Sequence, residues 1–483
     1  MINFRPIARV IGILLIIIGS LMLSCIAFSF YYLSGDEWAL IYSSLCSIGF
    51  GLPLSLYKFK GSTRVNKREG YLIVSLGWLA MISFGTLPYL FSGVIPNFTG
   101  ALFETVSGMT TTGASIITDI ENLPKGILFW RSLTQWIGGM GIIVLTVAIF
   151  PLLGIGGIEL FVAEAPGPTS DKIHPRIQEM AKILWLIYVG LTIVLTIILR
   201  FEGMNFFDAI NHSLTTMATG GFSTKNNSIA YFDDSLIQYT LIVFMLIAGT
   251  NYTILYFFLR GKFKKVWQSD EFRAYIFLII LLAIIITLGI YSATGTDLER
   301  SFRDGLFQIV SLITTTGFVS ADYTAWSSGL TALFFVLMFM GACAGSTSGG
   351  IKIIRHLVFL KNSFLEFKRI LHPRAVIPLK INDAIVAPRI MTHIIIFLLL
   401  YLFSFVLGTV IVAFMGLDIV TAVGAVATSL GNVGPGLGDV GPVNNFAGLS
   451  DPIKLFLSFL MLLGRLELFT IFVVFMPYFW KSN

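Results

Sequence analysis

Apolar blocks of about twenty residues recur along the whole chain, separated by short polar connectors. They lie at approximately 10–33, 38–57, 71–91, 127–150, 181–199, 235–259, 274–293, 328–340, 389–415 and 453–478. In a bilayer every backbone polar group must be satisfied within the protein, so blocks of this length predict transmembrane helices. A β-barrel would show short alternating segments instead. Arg5 and Arg9 precede a first block that is too long for the apolar region of a signal peptide, so it reads as a retained helix. The eighth block is interrupted and resumes near Ile351. The pattern predicts an all-α polytopic membrane protein.

Four shorter, half-apolar segments sit between the outgoing and returning spans of the later pairs, at 99–112, 205–219, 302–316 and 418–432. As helices they would be roughly 20 Å long, too short to cross a bilayer. Each leads into an uncharged, glycine-containing run: Thr110-Thr111-Thr112-Gly113-Ala114, Met217-Ala218-Thr219-Gly220-Gly221, Thr314-Thr315-Thr316-Gly317-Phe318 and Gly431-Asn432-Val433-Gly434-Pro435. The intervals between Gly113, Gly220, Gly317 and Gly434 are 107, 97 and 117 residues, longer than any solenoid period, and indicate duplicated units. Nine residues before the first three glycines stand Glu104, Asn211 and Gln308; Ala425 breaks the series in the fourth.

Each unit therefore reads as helix, re-entrant half-helix, glycine turn, helix. Non-helical backbone at membrane depth persists only where it lines water or protein. Four such turns meeting on one axis would form a narrow ring of carbonyl oxygens able to replace a cation's hydration shell. Glycine supplies backbone conformations closed to residues with a Cβ. The C-terminal ends of the half-helices would add partial negative charge at the axis. Small-residue helix packing would account for any single motif. Four in register after four half-helices favour a pore.

Composition sharpens this. Of 483 residues 56% are hydrophobic, 12% are charged, and the mean hydropathy is +0.86. About 25% charged is usual for a soluble domain, so a water-soluble enzyme, a disordered chain and a coiled coil are excluded. The net charge of +6 takes its meaning from location. With the N-terminus in the cytoplasm, 24 of the 32 basic residues fall on that side, in groups at Lys58 to Arg68, Arg260 to Lys265 and Lys352 to Arg389. Both termini are then cytoplasmic. The basic surplus is an orientation signal and a possible binding face for lipid or a soluble partner, not for nucleic acid. Cys25, Cys46 and Cys343 lie in apolar segments and imply no disulfide framework.

Two features of the spans stand out. Gly341-Ala342-Cys343-Ala344-Gly345-Ser346-Thr347-Ser348-Gly349-Gly350 consists of small residues, including the four glycines Gly341, Gly345, Gly349 and Gly350. Each interior glycine costs a helix about 1 kcal/mol relative to alanine. Gly341 and Gly345 also fit a small-xxx-small packing face; the preferred reading is an intramembrane loop below the filter whose movement opens the pore. Corresponding places in the other units, Gly138-Gly139, Gly249 and Gly464, predict far less disruption. Arg465 is the second feature, near the middle of the last span and roughly 18 Å from either end. Glu467, two positions on, points elsewhere on a helix and is a poor partner. The reading places Arg465 near the axis, repelling cations and donating hydrogen bonds to carbonyls around 341–350. The five histidines show no metal-ligand spacing, and His212 is a candidate mouth-facing residue. Glu104, Asp208 and Asp304 either attract cations or favour helix N-termini.

TTTGAS, MATGGFST, TTTGFVSADY and LGNVGPGLG resemble the four filter segments of the Trk/Ktr/HKT superfamily of potassium transporters. The length and the two extra N-terminal spans are similar to its bacterial TrkH branch. The resemblance implies a potassium-selective pore with fourfold pseudo-symmetry and one filter glycine per repeat: Gly113, Gly220, Gly317 and Gly434. Their ion-facing neighbours would be Thr111 and Thr112, Ala218 and Thr219, Thr315 and Thr316, and Asn432 and Val433. It also implies an intramembrane gating loop in the third repeat with an arginine placed like Arg465. Further implications are a homodimer in the bacterial inner membrane, and a cytosolic nucleotide-binding ring of the TrkA type docked on the basic loops. The permeant ligand would be the potassium ion, with no organic cofactor in this chain.

The domain reading is an N-terminal helical pair at 1–69 followed by pore repeats at 70–175, 176–270, 271–385 and 386–483. Two other classes compete. An ion-coupled cation symporter would use broken helices in inverted repeats, whereas these units share one orientation. An intramembrane hydrolase is suggested only by Gly436-Leu437-Gly438-Asp439; that chemistry needs a second aspartate, and no Tyr-Asp dipeptide occurs. No enzyme activity is expected.

Overall fold

The computed structural model describes residues 3–57, 67–144 and 177–481. Most of the basic segment beginning at Lys58, the end of the fourth span and the boundary at residue 175 lie outside the described residues. Among the described residues six helices are long and apolar enough to span a membrane: Phe4–Tyr32, Glu37–Leu56, Arg68–Phe91, Ala181–Phe201, Asp270–Thr294 and Pro388–Phe414. Among the described residues the strands are one small hairpin, Lys380–Ile381 paired with Ala384–Ile385. The fold is all-α and polytopic.

Three further spans are broken. Ser235–Ala248 meets Tyr252–Leu259 at 108°, and Asp451–Arg465 meets Glu467–Phe475 at 113°. The expectation of little disruption near Gly249 and Gly464 is therefore corrected. Asn251 accepts the Thr253 N–H at 2.8 Å and restarts a helix in a new direction, while Glu467 takes left-handed backbone with φ 52°. In the third unit Ser328–Leu337 gives way to non-helical chain, and helix resumes at Ile353–Leu371.

Four short helices occupy the re-entrant positions: Phe98–Met109, Phe206–Met217, Leu298–Ile313 and Ile419–Gly431. Each starts from an Asn or Asp cap (Asn97, Asn205, Asp297, Asp418) whose side chain accepts a first-turn N–H. Their C-terminal halves are almost completely buried. One hydrophobic core joins the first and fourth units with the N-terminal helices, and a second joins the second and third units.

The N-terminal pair packs through small residues. A Cβ on Gly51 would lie 2.7 Å from the Gly12 carbonyl oxygen, and Ser44 Oγ donates to the Gly19 carbonyl at 2.7 Å. The connecting turn is stitched to the first unit by buried Asp36, which accepts the Ile127 N–H at 2.7 Å. Asp36 thereby caps the helix Lys125–Val144 from outside it.

Candidate functional site: a fourfold filter and the loop beneath it

The four re-entrant helices end in the same hydrogen-bond pattern. The N–H groups of Thr112, Gly220, Thr316 and Val433 donate to the carbonyls of Ser107, Thr215, Ser311 and Thr428, at 2.9, 2.9, 2.8 and 3.0 Å. Just before each donor lies a non-glycine residue in the left-handed region: Thr111 (φ 54°), Thr219 (53°), Thr315 (53°) and Asn432 (52°). This is a Schellman-type helix end, which usually carries glycine. A β-branched threonine there is strained by about 1–3 kcal/mol. Strain retained three times in equivalent places belongs to a segment whose shape is held by its neighbours.

Two residues further on the backbone is again left-handed, at Gly113 (82°), Gly221 (75°), Gly317 (78°) and Gly434 (100°). The pattern corrects the register of the second segment. Gly221, not Gly220, is equivalent to Gly113; Thr219 and Gly220 take the places of Thr111 and Thr112, and Ala218 that of Thr110. The paired glycines caused the slip, because either one can follow a threonine in an alignment by eye. Ser115 and Ser223, each two residues after the true equivalent, carry the signal that fixes it.

In this register the segments close into a ring. A Cβ added to Gly113 would strike the carbonyl oxygen of Gly220, one on Gly221 that of Thr316, one on Gly317 that of Val433, and one on Gly434 that of Thr112. Even the widest of these approaches, at Gly434, is 2.7 Å. Each segment thus touches the carbonyl before the glycine of the next, in the order one, two, three, four, one. Glycine is required at these four positions by both torsion and space.

Side chains behind the ring pin it. Glu104 Oε1 accepts from Ser115 Oγ at 3.0 Å and pairs with Arg131 Nε at 2.7 Å; both charged groups are buried. Arg131 Nη1 donates to the Ser223 carbonyl at 3.0 Å, joining the first segment to the second. In the corrected register the counterpart of Glu104 is His212, not Asn211. Its Nδ1 lies 2.8 Å from the Asp208 carbonyl and its Nε2 2.9 Å from Ser223 Oγ. A carbonyl only accepts, so Nδ1 carries the proton and Nε2 faces the serine. His212 is fully buried behind the filter and does not face a mouth. Gln308 plays the same part toward Ser320 Oγ at 3.3 Å. Gln135 was not singled out from sequence, yet its Nε2 donates to the Gly220 carbonyl at 2.6 Å and its Oε1 accepts the Phe222 N–H at 3.0 Å. Asp208 accepts from Thr224 Oγ1 at 2.6 Å, and Asp304 lies 3.8 Å from Arg300.

The glycine-rich chain 341–350 lies against the inner end of the ring. It is not helical: the Gly341 N–H donates to the Ile351 carbonyl at 2.8 Å, and Gly345 and Gly350 are left-handed. Thr347 Oγ1 reaches Thr219 Oγ1 at 3.3 Å and the Met217 carbonyl at 3.0 Å. The Gly349 N–H donates to Thr315 Oγ1 at 2.6 Å, and a Cβ on Gly349 would meet Asn432 at 2.8 Å. The loop therefore contacts three of the four left-handed residues at the re-entrant helix ends, Thr219, Thr315 and Asn432.

Arg465 sits at the bend of the last span. Its Nη1 donates to the Thr347 carbonyl at 2.8 Å and its Nη2 to the Gly138 carbonyl at 2.8 Å. One guanidinium thus bridges the loop and the first unit's return helix. Glu467 finds no partner on its own helix because the helix ends between them; it accepts from Arg355 Nη2 at 2.6 Å, just beyond the loop. Asp439, the aspartate of the Gly-x-Gly-Asp string, lies in a 3-10 turn where its N–H donates to Thr421 Oγ1 at 3.0 Å. Among the described residues no cluster of three or more His, Cys, Asp or Glu could hold a metal ion.

The profile of the TrkH family, described as a cation transport protein, matches residues 45–482. The chain is 41% identical to the Trk system potassium uptake protein TrkH of Escherichia coli strain K12, over 99% of this chain and 100% of the relative. It is 34% identical to the protein TrkG of the same strain, over 88% of this chain and 87% of the relative. The crystal structure of the potassium transporter TrkH from Vibrio parahaemolyticus superposes with a TM-score of 0.90 at 38% identity, covering 99% of this chain and 100% of that one. The ring of segments and the likeness along the whole length agree: this chain belongs to the TrkH family of cation transport proteins.

Proposed function

We propose that the chain is the membrane subunit of a potassium uptake system and conducts potassium ions along the axis of the four filter segments. The observation that carries this reading is the cyclic contact of each filter glycine with the next segment's carbonyl, which closes the ring at a fixed width. A dehydrated cation on the axis meets carbonyls from Thr111, Thr219, Thr315 and Asn432 and, one layer out, from Thr112, Gly220, Thr316 and Val433, below Gly113, Gly221, Gly317 and Gly434. These oxygens replace hydration water. The C-termini of four capped helices contribute further negative potential. The Asn432 side chain donates to Thr112 Oγ1 at 2.9 Å, so the fourth segment relies on its backbone where the others also offer hydroxyls. Rubidium, close to potassium in size, follows the same path.

The loop 341–350 is the gate in this reading, with Gly341, Gly345, Gly349 and Gly350 as its flexible points and Arg465 as its lock. A cation descending from the filter meets both the loop and the guanidinium charge. The basic residues outside the spans support cytoplasmic termini and placement in a bacterial inner membrane. The 1–69 pair and the repeats at 70–175, 176–270, 271–385 and 386–483 form one pore per chain. Two chains assemble as a homodimer, and a nucleotide-binding ring on the basic cytosolic face sets the gate. The relatives' designation as parts of a Trk system supports a multi-component assembly.

Cells that lack their own potassium uptake, but supply a Trk regulatory subunit, should take up labelled rubidium when they express this chain. Competition by potassium and not by sodium is the expected pattern. Protein present in the membrane without any rubidium uptake would contradict the assignment.

A further inference from the structure

We propose that Glu271 is a positioning residue for the gate, holding both ends of the 341–350 loop to one point at the start of the helix Asp270–Thr294. This rests on the reading of the loop as a gate and names a second group, besides Arg465, that keeps the loop in place. A single oxygen, Oε1, accepts the Ala344 N–H at 2.7 Å and the Ile354 N–H at 3.2 Å. Those two residues bracket most of the loop. The side chain is buried, at 7% exposure.

The need for such a group follows from the local sequence. The helix Ile353–Leu371 begins after Lys352, whose side chain makes no capping bond. The first N–H groups of any helix lack partners within it and favour an anionic acceptor. Glu271 supplies one from a neighbouring helix. The next peptide group is held as well, because the Ala344 carbonyl accepts Asn251 Nδ2 at 2.6 Å. Asp270 beside it faces away from the loop. It accepts Lys361 Nζ at 2.8 Å and the Asn382 N–H at 3.2 Å, and its own N–H donates to Asn382 Oδ1 at 2.7 Å. The adjacent acids thus tie the small hairpin on one side and the gate loop on the other to the same helix end.

Arg465 restrains the loop's tip through Thr347, whereas Glu271 restrains its base. Glu271 acts as an acceptor of two N–H groups and not as the partner of one cation. That distinction makes the role testable, since an amide oxygen can take the same two bonds.

Cys343 lies next to Ala344, is fully buried, and reports on the loop. In a chain with Cys25 and Cys46 replaced by alanine, its labelling by a small methanethiosulfonate reagent measures release of the loop. Glu271→Ala should speed labelling by about tenfold or more, the scale set by losing hydrogen bonds to a charged acceptor. Glu271→Gln, which keeps both bonds to a neutral oxygen, should lie nearer the parent than the alanine variant, and Glu271→Asp, one methylene shorter, should fall between the parent and the alanine variant. Labelling at the parent rate in Glu271→Ala would overturn the proposal, as would a glutamine variant labelled as fast as the alanine variant. Should the alanine variant fail to accumulate, an aspartate variant protected as well as the parent overturns it. Rubidium flux measured on the same samples separates the two readings. Faster labelling with raised flux supports both. Faster labelling with unchanged flux keeps the anchor and overturns the gate.

Discussion

Arg465→Ala should raise potassium flux through the purified protein by about tenfold or more when no regulator is present. The change removes two obstacles together. The first is the bridge from the Thr347 carbonyl to the Gly138 carbonyl, at 2.8 Å on each side, which fixes the loop to the first unit. The second, under the proposed gating role, is a positive charge facing the cation's route. At about 6 Å and an effective dielectric near 20, like charges repel by about 3 kcal/mol, worth roughly a hundredfold in occupancy. Arg465→Lys separates the two, since lysine keeps the charge and loses the planar fork that reaches both carbonyls. It should conduct less than the alanine variant and more than the parent. Wild-type flux in Arg465→Ala, with protein correctly folded in the bilayer, would remove the arginine from the gate.

Gly221→Ser should lower discrimination between potassium and sodium by about tenfold, and Gly220→Ser by distinctly less. Gly221 has φ 75°, and an added Cβ would strike the Thr316 carbonyl of the neighbouring segment. Neither backbone can give way without moving the ring, and the left-handed torsion adds about 1–3 kcal/mol of strain. The atoms nearest an added Cβ at Gly220 belong to the Gln135 side chain, whose displacement costs its two bonds to the second segment but leaves the neighbouring segment's backbone in place. Gly113→Ser should resemble Gly221→Ser, because its Cβ would meet the Gly220 carbonyl. Relative rubidium and sodium uptake into vesicles reads all three. Greater damage at Gly220 than at Gly221 would show that the second segment is registered wrongly.

Much of the fold was legible because bilayer physics makes long apolar blocks unambiguous and because four half-helices with glycine turns repeat in one orientation. The loop was legible too: four glycines among ten residues weaken a helix, and Arg465 in an apolar span demands polar partners. The rest depended on contacts between distant segments. Gly220 and Gly221 look alike locally; the Gly220 N–H bond to the Thr215 carbonyl, the left-handed torsion of Gly221 and its contact with Thr316 separate them, and Ser223 is the distant sequence signal. His212 takes its meaning from Ser223 once that register is set. The bends after Ala248 and Arg465 exceed 100°. At the first, Gly249 and the Asn251 cap carry a local signal; at the second, tertiary packing overrode the helical preference of the leucine-rich neighbours. Gln135 and Glu271 each sit in a helix with no local mark of function, and their partners lie 85 and 73 residues away.

The central claim is that a ring of carbonyls from four unequal segments of one chain selects potassium. The most direct test is isotope flux into proteoliposomes holding the purified protein, comparing potassium, rubidium, sodium and lithium under identical gradients. The account predicts flux of potassium and rubidium at similar rates, with sodium and lithium well below, and a loss of that order in Gly221→Ser. Equal flux of all four ions in the parent protein, or a selectivity order untouched by Gly221→Ser, would contradict it.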